Sequence, residues 1–149
     1  MALEAAFTEN FVDADGFHIR NMTAGPTNGD AVVCLHGAGG LRVSKFHELL
    51  ADCYRVFVFE APGFGESDVN ERSRTMWDLA ATMNQAIATL DAGPVHLIGN
   101  SFGGKLALCM AALQPDLAFN SMVLIAPAAI RPDPELRFSP AERLATMYT

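Results

Sequence analysis

Val95-His96-Leu97-Ile98-Gly99-Asn100-Ser101-Phe102-Gly103-Gly104-Lys105-Leu106-Ala107-Leu108-Cys109-Met110 is the stretch on which the fold turns. An apolar run short enough for a buried strand meets Gly99-Asn100-Ser101-Phe102-Gly103, and an alanine- and leucine-rich run too long for another strand follows. The pattern predicts a strand, a sharp turn and a helix. Small residues two before and two after the centre of such a turn leave room for crossing backbone, while the central residue takes an uncommon conformation. Serine occupies that centre. Its hydroxyl is expected to stand above the sheet, at a helix N-terminus whose free amides and positive dipole end favour developing negative charge. The alternative is a glycine-rich turn that carries a surface serine.

Upstream, residues 11–14 and 17–24 read as short strands separated by Asp15-Gly16, which predicts an antiparallel hairpin. Turn formers fill residues 25–30, and Ala31-Val32-Val33-Cys34-Leu35 is an unbroken apolar run suited to a central parallel strand. It ends in His36-Gly37-Ala38-Gly39-Gly40, a loop nearly free of side chains, whose amides can turn toward an oxygen anion. Half of an oxyanion hole and an ordinary connector are both open readings there. Val43, Phe46, Leu49, Leu50 and Cys53 recur at helical spacing and predict an amphipathic crossover helix over 43–53. Residues 55–59 are the next buried strand, closed by the proline- and glycine-bearing loop 60–68. Ser73 or Thr75 is placed to cap a helix with the apolar stripe Met76, Leu79, Ala80, Met83, Ala86, Ile87 and Leu90. Downstream of the serine unit, whose helix is expected to end near Gln114-Pro115, residues 121–127 read as another buried strand. An irregular proline-rich stretch follows to 140, and a helix starts at Ala141.

Strands alternating with helices imply right-handed crossovers, hence an α/β fold with a mostly parallel, doubly wound sheet and helices on both faces. Ligands of such sheets bind beyond the carboxyl ends of the strands. Residues 36–40, 60–68, Ser101 and 127–134 are all expected on that one rim. The 149 residues fit a single domain, half of them are hydrophobic, and the net charge is −7. With no Lys/Arg cluster, nucleic acid and anionic membrane are excluded as partners. No secretory signal and no run of membrane-spanning length is visible. Cys34, Cys53 and Cys109 have no metal-ligand spacing and read as buried reduced thiols, which points to the cytoplasm. Neither a metal nor an organic cofactor is expected, since no dinucleotide fingerprint occurs either.

Three motifs follow the third, fourth and fifth predicted strands: His36-Gly37-x-Gly39-Gly40, Pro62-Gly63-Phe64-Gly65-x-Ser67, and Gly99-Asn100-Ser101-Phe102-Gly103-Gly104. In that order and at those separations the chain resembles the N-terminal half of an α/β-hydrolase, over nearly its whole length. Within that fold the wording is similar to carbon–carbon bond hydrolases that act on meta-cleavage products of aromatic rings, and simple esterases share most of it. Those carbon–carbon hydrolases usually carry a longer glycine-proline loop, where this chain passes directly through Leu41 and Arg42. The resemblance implies a small-molecule substrate, Ser101 as nucleophile, and an oxyanion hole from the amides of Phe102 and of Ala38 or Gly39. It also implies that His36 braces its loop. Asn100 and His36 are further candidates for contact with substrate, Asn100 being equally readable as a turn residue. Epoxide hydrolases and dehalogenases of this fold generally place aspartate at the nucleophile position, so serine argues against those chemistries.

A serine hydroxyl needs a base to take its proton and a third group to orient that base. The resemblance implies that acid and histidine follow the serine, yet no histidine follows Ser101. His36 lies near it through adjacent strands, His96 reads as a satisfied core residue, and His18 and His47 read as partly exposed. Asp133 and Glu135 follow the sixth strand without a histidine to orient. The expectation is therefore an α/β-hydrolase core over 1–127, the start of a cap over 128–149, and truncation after the sixth strand. Such a chain leaves a hydrophobic strand at or near a sheet edge and helix faces without a partner, open to self-association or to a complementary C-terminal segment. Two functional readings stand: a serine-type hydrolase of esters or carbon–carbon bonds, inactive as this chain alone, and a non-catalytic ligand-binding or assembly module.

Overall fold

The computed structural model describes residues 6–114 and 119–129. In chain order the elements are β1 (Thr8–Ala14), β2 (Phe17–Ala24), β3 (Ala31–Leu35), α1 (Lys45–Ala51), β4 (Arg55–Phe59), α2 (Met76–Ala88), β5 (His96–Asn100), α3 (Phe102–Leu113) and β6 (Ser121–Ile125). Asp15 and Gly16 both adopt positive φ, 50° and 74°, which folds β1 back onto β2 with the twist a two-residue hairpin requires. The six strands form one sheet in the order β1-β2-β4-β3-β5-β6. β2 runs antiparallel to β4, whereas β4, β3, β5 and β6 are mutually parallel.

Alternation along the strands splits the core between the two sheet faces. Val33, Leu35, Phe57, Phe59 and Leu97 pack with Leu79 and Met83 of α2 and Leu106 and Met110 of α3. Val32, Cys34, Val56 and Val58 point the other way, onto Ala51 of α1. Of the two expected caps, Thr75 is the one used. Its hydroxyl accepts the Asp78 amide at 3.2 Å, and the Asp78 carboxylate accepts the Arg74 and Thr75 amides at 2.9 Å each. Those backbone donors, Arg74 first and then Thr75, hold the Asp78 carboxyl below its ordinary range.

Four expectations are corrected. The first crossover helix covers 45–51 rather than 43–53, and of its apolar positions only Ala51 is buried. Phe46 and Leu49 are 44% and 60% exposed, because the described residues leave that side of the helix uncovered. Cys53 falls beyond that helix and is exposed, unlike Cys34 and Cys109. β6 lies at the sheet edge as expected but is not a buried strand, with Met122 and Leu124 turned into the core and Val123 and Ile125 standing 48% and 42% exposed. His96 is half-buried rather than core, its Nδ1 2.8 Å from Ser121 Oγ. The proposed cap start from 130 onward, with Asp133, Glu135 and the helix from Ala141, lies outside the described residues. Among the described residues no helix is long and apolar enough to cross a membrane.

Candidate active site

Ser101 sits between the last residue of β5 and the first of α3 with φ 51° and ψ −109°. A non-glycine residue in that region costs of order 1–3 kcal/mol and persists only where its surroundings hold it. The holding is visible on both sides. The Ser101 N–H donates to the Ile125 carbonyl at 2.9 Å, and the Ser101 carbonyl accepts the amides of Gly104 and Ala128 at 3.0 Å each. A Cβ on Gly99 would lie 2.7 Å from both the Gly103 carbonyl carbon and the Gly104 Cα; one on Gly103 would strike the carbonyl oxygens of Leu35 and His36. The glycines two before and two after Ser101 are therefore required by the crossing of β5, α3 and the end of β3. The Phe102 and Gly103 amides remain as helix-terminal donors beside the serine.

The loop after β3 closes as a turn, Gly40 N–H donating to Gly37 O at 3.1 Å, with Ala38 and Gly39 exposed at its tip. Gly37 brings this loop against the serine turn: a Cβ there would be 3.1 Å from Asn100 Nδ2 and 3.6 Å from Ser101 Cβ. Sequence reasoning named Ala38 and Gly39 and missed Gly37 as the residue of closest approach. Its signal was the same lack of a side chain, without the pairing of β3 and β5 that makes it matter.

His36 is buried and both its ring nitrogens are committed. Nε2 accepts the Ala61 N–H at 3.1 Å, so the ring proton sits on Nδ1, which donates to Gly37 O at 2.6 Å. Phe64 meets the ring edge-on at 4.6 Å, and Phe102 stacks at 6.1 Å. Burial pushes its pKa below the ordinary 6.5, with the Gly37 carbonyl and the Glu60 charge opposing. Such a ring has no lone pair to offer Ser101 and no nitrogen to offer a ligand; it ties the loops after β3 and β4 together. The second of these loops is tied to β2. Buried Glu60 accepts the Glu66 N–H at 2.8 Å and pairs with Arg20 at 3.4 Å, while Ser67 Oγ donates to Glu60 O at 2.6 Å and accepts the Arg20 N–H at 2.9 Å.

The remaining histidines lie elsewhere. His18 is exposed on β2, 2.7 Å from Asp13 Oδ1. Nδ1 of His47 accepts the Ser44 N–H at 3.1 Å, and His96 is at the far end of β5 from Ser101. Among the described residues no histidine is hydrogen-bonded to Ser101, and no group of three or more His, Cys, Asp or Glu is placed to hold a metal ion. A cavity of about 580 Å³ opens beside the serine turn on the α1 side of the sheet, walled by Gly37, Gly39, Arg42, His47 and Asn100 and floored by Cys34, Val58 and Ile98.

The sequence pattern of the alpha/beta hydrolase fold matches residues 30–148. The chain is 32% identical over 139 residues to the 2-hydroxy-6-oxo-6-(2'-aminophenyl)hexa-2,4-dienoic acid hydrolase of Metapseudomonas resinovorans, an alignment covering 85% of this chain and 45% of that protein. A serine hydrolase involved in carbazole degradation superposes with a TM-score of 0.72 at 27% identity, over 95% of this chain and 55% of that one. Cfl2 from Burkholderia cenocepacia shares the fold with a TM-score of 0.79 at 22% identity, over 95% and 49% of the two chains. The chain spans between 32% and 45% of the length of the first curated relatives it matches. A mostly parallel sheet with a serine held at positive φ between β5 and α3, in a chain matched by this pattern over most of its length, makes the chain a member of the α/β-hydrolase fold family.

Proposed function

We propose that these residues form the nucleophile-bearing part of a serine hydrolase that cleaves an ester, or a carbon–carbon bond next to a carbonyl, in a small molecule. The observation that carries the proposal is the conformation of Ser101, held at φ 51° at the N-terminus of α3 with Gly37 against it. Strain of that kind is retained where it aims a side chain. Ser101 Oγ attacks the substrate carbonyl and gives its proton to a base. The amides of Phe102 and of Ala38 or Gly39 receive the negative charge that develops on the carbonyl oxygen, an effect of several kcal/mol for two aligned donors. Collapse expels an alcohol, or a carbon leaving group that takes up a proton, and water then releases the acyl group from the serine. The dienoic acid hydrolase of Metapseudomonas resinovorans supports the carbon–carbon variant.

His36 cannot be the base while both nitrogens serve the backbone, and no histidine follows Ser101. In this reading the base and its orienting acid come from polypeptide other than these 149 residues, and the chain alone is inactive. The three free cysteines support a cytoplasmic setting for it. A non-catalytic binding module is the second reading, favoured by the same want of a histidine at Ser101.

Fluorophosphonate labelling separates the two. The chain is tested alone, and again joined at Thr149 to the part of the Metapseudomonas resinovorans hydrolase beyond the aligned region, with Ser101→Ala as control. The joined protein is expected to label at Ser101, the control not at all, and the chain alone at least about a hundredfold more slowly for want of a base. Equal labelling of the chain alone would place a base within it. A folded joined protein that resists the probe would leave the binding module as the better account.

A further inference from the structure

We infer that Arg42 is a specificity residue that holds the carboxylate of an acid-bearing apolar substrate in the cavity beside Ser101. The inference rests on the hydrolase reading only for the identity of the site.

Three other arginines are engaged by neighbouring groups. Arg20 pairs with Glu9 and Glu60, Arg72 pairs with Asp15 and lies over Phe17, and Arg55 lies 4.9 Å over the Phe57 ring. Arg42 has no such partner among the described residues, and it stands on the cavity wall. The chain carries 17 acidic against 10 basic residues, yet among the described residues no carboxylate lines this cavity. The wall near Arg42 consists of donors instead. His47 accepts the Ser44 N–H at Nδ1, so its proton is on Nε2, and Asn100 adds an amide. Burial pushes His47 below the ordinary imidazole range, so at neutral pH it contributes an N–H and no charge. Among the described residues Arg42 is thus the one cation of the lining.

That chemistry selects among ligands. A single guanidinium with neutral donors around it suits a planar monoanion, which the guanidinium can grip through two parallel N–H bonds; a phosphate dianion would call for more positive charge. The floor of Cys34, Val58 and Ile98 asks for an apolar body, and about 580 Å³ is the size of a small-molecule site. Gly37 belongs to the cavity wall, and a Cβ on it would lie 3.6 Å from Ser101 Cβ, so this wall of the cavity borders the serine turn.

The test is calorimetric binding of 5-phenylpenta-2,4-dienoate and of its uncharged primary amide to the 149-residue chain, to Arg42→Gln, Arg42→Lys and Ser101→Ala. The acid is expected to bind about tenfold more tightly than the amide, a preference that added salt reduces. Arg42→Gln should abolish the preference by weakening the acid alone, Arg42→Lys should keep part of it, and Ser101→Ala should keep all of it. Equal affinities for acid and amide, binding of neither, or a preference that survives in Arg42→Gln would each overturn the inference. Fluorophosphonate labelling reports separately on the hydrolase reading. Loss of the acid preference with Ser101 still reactive in the joined protein strikes Arg42 alone; an unreactive Ser101 with the preference intact strikes the hydrolase reading alone.

Discussion

The two faces of the sheet are built to different depths. On one, α2 and α3 lay down an unbroken layer in which Met83, Leu106 and Met110 are fully buried against Val33, Phe59 and Leu97. On the other, the seven residues of α1 bury only Ala51, and Phe46, Leu49, Val123 and Ile125 keep much of their surface in water. The serine turn belongs to the thick side through α3, and the cavity with Arg42 belongs to the thin side. Geometry that must be exact, the strained Ser101, is supported by backbone on three strands; the space that admits a ligand borders the face with least packing against it. A hydrophobic helix face stabilises only in proportion to the apolar area it removes from water, so equal side chains on the two faces are of unequal worth.

The sharpest break would come at the junction itself. Gly99→Ala puts a methyl group 2.7 Å from two backbone atoms of α3, neither of which can rotate away, and should cost about 4 kcal/mol or more in urea unfolding or prevent folding outright. Tolerance of alanine there would mean that β5 and α3 can separate, and the thick side would lose its claim to hold Ser101. A graded comparison uses one long side chain from each face. Met83→Ala should destabilise by about 2–4 kcal/mol, since it opens a hole among residues of both helices, whereas Leu49→Ala should change stability by less than about 0.5 kcal/mol. Equal losses would show that Leu49 is covered after all, for example by a second copy of the chain, and repeating the measurement over a range of protein concentrations would identify that cause.

The same difference marks what could be read from the sequence. Both helices of the thick side were legible, because apolar residues in 76–88 and 102–113 coincide with burial and because Thr75 and Gln114 mark ends, although Leu90 of the expected stripe falls beyond the end of α2 at Ala88. The serine turn was legible for a similar reason, its glycines being dictated by contacts only a few residues away in the chain. On the thin side the spacing of Phe46, Leu49 and Leu50 told which residues share a helix face, but periodicity carries no information on whether anything covers that face. β6 misled in the same way: five apolar-rich residues look alike whether one side of the strand is covered or two. That His36 braces its loop came from the family resemblance, but its partner Ala61, 25 residues away, was illegible, as was the Arg20–Glu60–Ser67 clamp across 40 and more. Such partnerships have no local signature.

A smaller effect tests whether His36 is what joins the loops at the boundary of the two sides. Its folded-state pKa is lowered by burial, so as pH falls past the ordinary 6.5 the unfolded chain takes up a proton that the folded chain resists. Stability from this group is therefore complete above 6.5 and is lost on acidification, until the pH passes the lower folded-state value. His47 is shifted in the same sense by burial, whereas Asp78 acts in a separate window below the ordinary carboxylate value of 3.8. In urea unfolding followed downward from pH 7, His36→Gln should flatten part of the loss seen in the parent chain, and His47→Gln should flatten another part. Proton NMR should show both rings titrating below 6.5, with His36 bearing its proton on Nδ1 as the Ala61 and Gly37 contacts demand. If His36→Gln leaves the acid limb unchanged, His36 takes up its proton equally in both states. Its nitrogens are then free of the backbone, and it returns as a candidate base for Ser101.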